Sequence, residues 1–418
     1  MRVVTSGEES TVAEPIAPPR TARWRPGVLD WVRIGLLVAG ILCVLTGLLP
    51  TTEAEDNVRR IGPLLLFLGS VIVLAKLAKQ AQVFDAIAAG LAILGRGNFP
   101  ALFLLCGLFA ALTTTVLNLD TTAVLLTPVL LALAPRARIP ALPLAMTTIW
   151  LANTASLLLP VSNLSNLLAA NRVALAAPEF AARMWAPQLV AITVTLIFLW
   201  ACYWRRGRRG IDRYEPPPPV RLARPRDRAL LGVAGAACLL FVAAIPLIRD
   251  QIGYAALAAA LVVVAAFAVL DRRPLRLSLV PWQLLIFVIG LFLVVPTLSR
   301  FGLAEVMTAL IGGDGHWLGV YRAAASGAGL SNVVNNLPAY VAGEAVIPAA
   351  NRDQLLGLLI GVNLGPIVTP WASLATLLCL ESCRDHGLRV PLRRFMLTGA
   401  GLATVALAGS VAALLVWR

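Results

Sequence analysis

The chain has 418 residues, 59% of them hydrophobic and 13% charged, with a mean hydropathy of +0.83, and no ordinary soluble domain has that balance; the composition is that of an integral membrane protein. A formal net charge of +14 would suit nucleic acid, but the arginines fall in short stretches between apolar runs, where the positive-inside bias places them, so nucleic acid is excluded as a partner.

In chain order, residues 1–27 are polar and lack a cleavable apolar stretch, which predicts a disordered cytoplasmic tail. Membrane helices are expected at about Asp30 to Leu49 and Ile61 to Ala78, followed by an amphipathic helix along the interface in "AKQAQVFDAIAAGLAILGRGN". Phe99 to Ala134 is apolar but interrupted by "TTTVLNLDTT", and Ile139 to Ala169 is broken at "NTASLLLPVSNLSN". Another helix covers about Met184 to Trp204. Residues 205–228 then hold nine arginines and a run of four prolines, a cytoplasmic linker between two halves. Helices follow at about Ala229 to Ile248, Tyr254 to Leu270 and Trp282 to Leu298, then a second interfacial segment in "SRFGLAEVMTALIGGDG". Gly315 to Ala350 is interrupted by "LSNVVNNLPAY", Gln354 to Glu381 by "NLGPIVTPWAS", and Phe395 to Trp417 is the last helix.

The order of elements repeats. Asn153 and Pro160 stand 210 residues before Asn363 and Pro370, and Asn118 stands 217 before Asn335. If the N-terminus is cytoplasmic and each of the two 36-residue interrupted segments returns to the side it entered from, the basic loops become cytoplasmic, the acidic "TTEAEDN" external, and the halves oppositely oriented. The expected fold is therefore an all-α polytopic membrane protein of two inverted repeats, each with a re-entrant hairpin and a broken transmembrane helix, with about nine full crossings and two hairpins. The expected divisions are the tail (1–27), a first repeat (28–204), the linker (205–228), a connecting helix (229–248) and a second repeat (249–418). The C-terminus falls outside the cytoplasmic membrane.

The interruptions carry the chemistry. A transporter needs polar groups at mid-membrane, and broken helices supply them through the unpaired N–H and C=O groups at their ends. Four polar clusters qualify: Thr113 to Asp120, Asn153 to Asn166, Ser331 to Pro338 and Asn363 to Thr376. The candidate substrate ligands are Asn118, Asn153, Ser162, Asn163, Asn166, Ser331, Asn335, Asn336, Asn363, Thr369, Ser373 and Thr376. Asp120 and Glu344, carboxylates at membrane depth, are the candidate ion-coupling groups. The alternative for any one of the amides and hydroxyls is interhelical glue. Lys76 and Lys79 are the only lysines and follow no phosphate-binding loop; nor is there an HExxH, a GxSxG or a metal cluster. The six cysteines show no zinc-type pairing. No cofactor is expected, and a proton or sodium gradient is the expected energy source.

The segments "ANTASLLLPVSNLSNLL", "SNVVNNLPAYVAG" and "LGPIVTPWASLATLL", with "LTPVLLALA" after Asp120, resemble the arsenical pump membrane proteins, arsenite efflux permeases of the ion transporter superfamily. The resemblance runs from about residue 60 to 400. It implies export of arsenite and antimonite by proton antiport, or with a soluble arsenite-stimulated ATPase subunit, and it leaves room for a homodimer. It points to Asn118, Asp120, Asn153, Ser162, Asn163, Asn166, Asn335, Asn336, Thr369, Ser373 and Thr376. One departure stands out: relatives commonly place an Asn-Asp pair at the first tip, where Leu119 here separates Asn118 from Asp120. Three readings stay open: an arsenite carrier, a sodium- or proton-coupled carboxylate or other anion carrier of the same fold, and a non-transporting membrane scaffold.

Overall fold

A computed structural model describes residues 28–116, 118–205, 213–214, 224–244, 252–313 and 315–417. The expected tail at 1–27 and most of the linker at 205–228 lie outside the described residues. Seventeen α-helices are described: α1 (Val28–Leu45), α2 (Thr51–Gln80), α3 (Val83–Leu94), α4 (Phe99–Val116), α5 (Leu119–Arg136), α6 (Ala141–Thr154), α7 (Leu164–Arg172), α8 (Ala177–Leu199), α9 (Pro225–Ala244), α10 (Ile252–Leu270), α11 (Trp282–Leu298), α12 (Ala304–Ile311), α13 (Trp317–Val334), α14 (Asn336–Glu344), α15 (Arg352–Leu364), α16 (Leu374–Asp385) and α17 (Leu392–Val416). Among the described residues six helices are long and apolar enough to cross a membrane.

Several expected bounds shift. The second helix begins at Thr51 rather than near Ile61, so the acidic stretch expected as a loop forms its first turns. Glu53 in the first turn suits the positive end of the helix dipole, and its carboxylate meets Arg300 at 2.9 Å. The second arm of the later interrupted segment is α14, only nine residues long.

Helix pairs pack α13 on α15, α1 on α11, α8 on α17 and α2 on α10, while α16 lies against α5 and α6. With no hydrophobic drive between helices in lipid, close backbone approach must supply the contact, and small residues permit it. Gly357, Gly361 and Gly365 form a stripe one turn apart on α15 and its end. A methyl group on Gly361 would sit 2.0 Å from the Ala324 carbonyl oxygen of α13. The described part of the linker is also anchored: Tyr214 is buried, its N–H donates to Gly97 O at 2.9 Å and its hydroxyl to Ala92 O at 2.6 Å.

Candidate functional site

The breaks form where the sequence denies the helix its bonds. After α6, Pro160 opens a short 3-10 turn and Asn163 is extended. After α15, Pro366 stands inside another, Gly365–Ile367. Pro lacks the N–H that the ladder needs. Between α13 and α14, Asn335 has φ +91° and ψ 156°, a conformation that glycine adopts readily and other residues only under strain. Asn118 is extended and caps α5, its Oδ1 accepting Thr121 N–H at 2.7 Å. Ser373 caps α16 in the same way, accepting Thr376 N–H at 3.2 Å.

Four helices begin at one place. Leu119 of α5, Leu164 of α7, Asn336 of α14 and Leu374 of α16 all line a cavity of about 50 Å³, together with Asp120, Asn163 and Asn335. Phe287 and Phe292 of α11 close one side of it. Four positive dipole ends therefore surround the space, a setting that favours negative charge or electron-rich oxygen. No Arg or Lys lines it among the described residues. Asp120 is the cavity's carboxylate. Its Oδ1 is shut off from solvent and has no hydrogen-bond partner, an expensive arrangement unless a ligand, ion or proton completes it. The Asn336 N–H, at the start of α14, donates to Ala372 O at 2.9 Å.

Most of the other candidates are joined to one another. Asn153 Nδ2 donates to Thr376 Oγ1 at 3.1 Å and to Ile149 O at 2.9 Å. Asn363 Oδ1 accepts from Asn163 Nδ2 at 2.8 Å and from Ser165 Oγ at 3.0 Å, and its Nδ2 donates to Asn166 Oδ1 at 2.7 Å. Asn166 Nδ2 holds the carbonyls of Ser156 and Leu159 at 2.6 and 2.9 Å. Ser162 Oγ donates to Thr115 O at 2.6 Å, Thr369 Oγ1 to Asn332 O at 3.1 Å, and Asn335 Nδ2 to Trp371 O at 3.0 Å. All the atoms in this belt are buried or half-buried, so each bond replaces one that water cannot supply. The glue reading thus describes Asn153, Asn166, Asn363 and Thr376 well. Asp120, Asn163, Asn335 and Asn336 reach the cavity. Ser331 turns back to Ala328 O at 2.8 Å, and Glu344 lies at the far end of α14, within electrostatic reach of buried Tyr340 and not on the cavity wall.

Four contributors were not nominated from the sequence. Asn332 takes Thr369 N–H on its Oδ1 at 2.9 Å and donates to Gly365 O at 2.9 Å. Gln188 of α8 accepts the Leu157 and Leu158 N–H groups at 2.6 and 3.1 Å, tying down the first break. The α11 phenylalanines form an apolar wall. Asn332 sits inside a polar cluster already singled out, and Gln188 is a lone amide in an apolar helix; Phe287 and Phe292 carry no local signal. Among the described residues no group of three or more His, Cys, Asp or Glu is placed to hold a metal.

Known proteins share this chain's pattern. An "Arsenical pump membrane protein" of Escherichia coli is 28% identical over 371 residues, 82% of this chain and 84% of the relative. One from Yersinia enterocolitica is 27% identical over 365 residues, with the same coverage of 82% and 84%. The YdaH transporter of Alcanivorax borkumensis aligns over 93% of this chain and 97% of its own, at 16% identity and a TM-score of 0.46. Residues 28–376 match the family model CitMHS, described as "Citrate transporter". The chain belongs to that family of the ion transporter superfamily and is a multi-pass membrane protein, a secondary transporter of a small substrate and not an enzyme.

Proposed function

We propose that this transporter exports arsenite and antimonite across the cytoplasmic membrane in exchange for protons. Access to the cavity alternates as one helix set rocks against the other. The supporting observation is the cavity itself: about 50 Å³, lined by neutral amides, apolar groups and one carboxylate with an unsatisfied oxygen. That is room for about four water positions. Arsenite near neutral pH is mostly the uncharged trihydroxide, whose hydroxyls both donate and accept. Asn163, Asn335 and Asn336 offer matching amides, and Asp120 supplies a group that changes charge during the cycle. The relatives named arsenical pump membrane proteins support the same substrate.

The architecture that goes with this reading is a pair of inverted repeats, 28–204 and 249–418, joined through the linker and a connecting helix at 229–248. The α4–α5 and α13–α14 segments are re-entrant, the N-terminus is cytoplasmic and the C-terminus external. Energy comes from the proton gradient, with sodium as the competing ion and no resident cofactor. A soluble ATPase subunit and a second copy of the chain are the partners to test for.

A second reading rests on the four helix N-termini. Positive dipole ends can hold an organic anion without Arg or Lys, especially with sodium bound beside it, and the family's description as citrate transporter agrees. The experiment is competition: vesicles containing the protein take up labelled arsenite in sodium-free buffer, and succinate or citrate is added. Undiminished uptake is expected. Uptake that requires sodium and is displaced by the carboxylates would favour the anion carrier.

A further inference from the structure

A second feature on α5 lies outside the cavity. Asp120, Val124 and Pro128 are four residues apart and share one face of the helix, each about 6 Å beyond the last. Pro128 borders a cleft of about 380 Å³ that also includes Lys79, Asp85 and His386. The same Lys79, Pro128 and His386 border a narrower recess of about 60 Å³, whose other walls carry Lys76, Ser382 and Asp385 and whose apolar lining includes Val124 and Leu378. Cleft and recess share these residues and together form a funnel between α2, α3, α5 and α16, whose α5 wall reaches Val124, one helical turn from Asp120. Val124 and Leu378 on the recess wall are both buried, and Cys379, next to Leu378 in the chain and also buried, receives a hydrogen bond from Thr127 Oγ1 at 3.2 Å.

We propose that this funnel is the cytoplasmic proton path to Asp120, with His386 as the relay at its mouth. The inference rests on the orientation and proton coupling given under Proposed function. The recess is large enough for a few waters, and Ser382, Asp385, His386 and Lys76 give them partners. His386 Nδ1 lies 2.7 Å from Ser382 O. A carbonyl only accepts, so Nδ1 carries the proton of the neutral ring and Nε2 keeps its lone pair. Burial is the main cause holding the His386 pKa below its ordinary value, and Lys79 adds to it; the Ser382 carbonyl, Asp385 and Asp85 act the other way. Glu381 of α16 and Lys76 of α2 complete the charged groups around the funnel, and α5 contributes only apolar groups to it. In the step itself, Val124 and Leu378 part. The Asp120 carboxyl releases its proton to the water chain and becomes a carboxylate, Nε2 takes the proton, and the imidazolium returns it to cytoplasmic water.

Two measurements test this. In everted vesicles, transport is followed while the pH on the cytoplasmic face is varied at constant gradient, for the native chain and for His386→Gln. The variant is expected to run several-fold slower with an unchanged KM and to lose the inflection of the native profile. Independently of any substrate, a chain retaining Cys379 as its only cysteine is exposed to silver ion, a water-sized thiol reagent, from each face in turn. Reaction from the cytoplasmic face, abolished by Val124→Phe, is the expected result. An unaltered pH profile in His386→Gln, or a Cys379 that reacts from the external face only or from neither, would overturn the proposal. Failure of the arsenite reading is separable, because it would remove arsenite uptake while leaving Cys379 reactive from the cytoplasmic face.

Discussion

Asn153 and Asn363 stand 210 positions apart and make the same cross-link in opposite directions. Asn153 donates to Thr376 Oγ1 at 3.1 Å, and Asn363 donates to Asn166 Oδ1 at 2.7 Å, Thr376 itself standing 210 positions after Asn166. The break after α6 and the break after α15 are therefore fastened to each other. Thr115 and Asn332, 217 apart, make a second matched pair of bonds, each local to its own part of the chain, reaching Ala155 O at 3.0 Å and Gly365 O at 2.9 Å. The Asn153 and Asn363 bonds tie α6 to α16 and α15 to α7, and α7 and α16 are two of the four helices that begin around the cavity.

The two amides should differ in cost. Asn363→Ala strips a partner from the side chains of Asn163, Ser165 and Asn166 at once, while Asn153→Ala strips one from the side chain of Thr376 only, whose hydroxyl still reaches Pro366 O, and removes a second bond to the Ile149 carbonyl. A buried polar group left without a partner costs about 1–3 kcal/mol. Thermal unfolding in detergent should show Asn363→Ala losing clearly more stability than Asn153→Ala. Equal losses would mean that the network is not shared as described.

Asp120→Asn keeps the shape of the side chain and removes its charge change. Gradient-driven transport should fall by about 100-fold, the scale of a lost proton-transfer group, while the protein still inserts and melts normally. Transport that still follows the pH gradient in this variant would remove Asp120 from the mechanism.

Backbone strain at the second tip gives a third prediction. At Asn335 the φ of +91° suits glycine, and strain of this kind costs about 1–3 kcal/mol. Asn335→Gly relieves it but loses the bond to Trp371 O, so its melting temperature should stay near the native value. Asn335→Ala keeps the strain and loses the bond, and should melt lower. The reverse order would contradict the assignment of strain.

Close packing of α13 on α15 makes Gly361→Ala a sensitive change. Its methyl would meet the Ala324 carbonyl oxygen at 2.0 Å, and helices must part to admit it, at about 1–3 kcal/mol. Gly329 has nothing within 4 Å of its Cβ position, so Gly329→Ala is the control and should be neutral in the same melts.

His386 ties stability to pH with a definite sign. Its folded pKa lies below the ordinary 6.5 because burial penalises the imidazolium. The unfolded chain then binds more protons in that window, so this residue's contribution falls as pH drops through 6.5 toward the folded value and is constant above it. Native and His386→Gln proteins should show a constant difference in melting temperature above neutrality, and the native protein should lose more than the variant on acidification.

Much of this was legible in the sequence because lipid leaves few choices. Amides and prolines inside apolar runs mark breaks, and the 210-residue spacing of Asn153 and Asn363 pairs them. What the residues could not indicate is which amides face the cavity and which face one another. Asn166 and Asn163 are three positions apart in the same cluster, yet of the two only Asn163 reaches the cavity wall, while Asn166 holds two carbonyls and the Asn363 amide. That choice is made by packing between distant segments. The acidic stretch at 51–57 reads as external from its charge, yet it starts α2, where Glu53 in the first turn meets the positive end of the dipole. The contribution of Phe287 and Phe292 had no local signature, since a phenylalanine facing a cavity and one facing lipid look alike in an apolar helix.

The most direct test of the central claim is arsenite accumulation in everted vesicles carrying this protein, with and without an imposed proton gradient and with no ATP. Accumulation that appears with the gradient, collapses when an uncoupler is added, and is lost in Asp120→Asn is the predicted result. No accumulation in vesicles shown to contain folded protein, or accumulation indifferent to the gradient, would contradict arsenite/proton exchange.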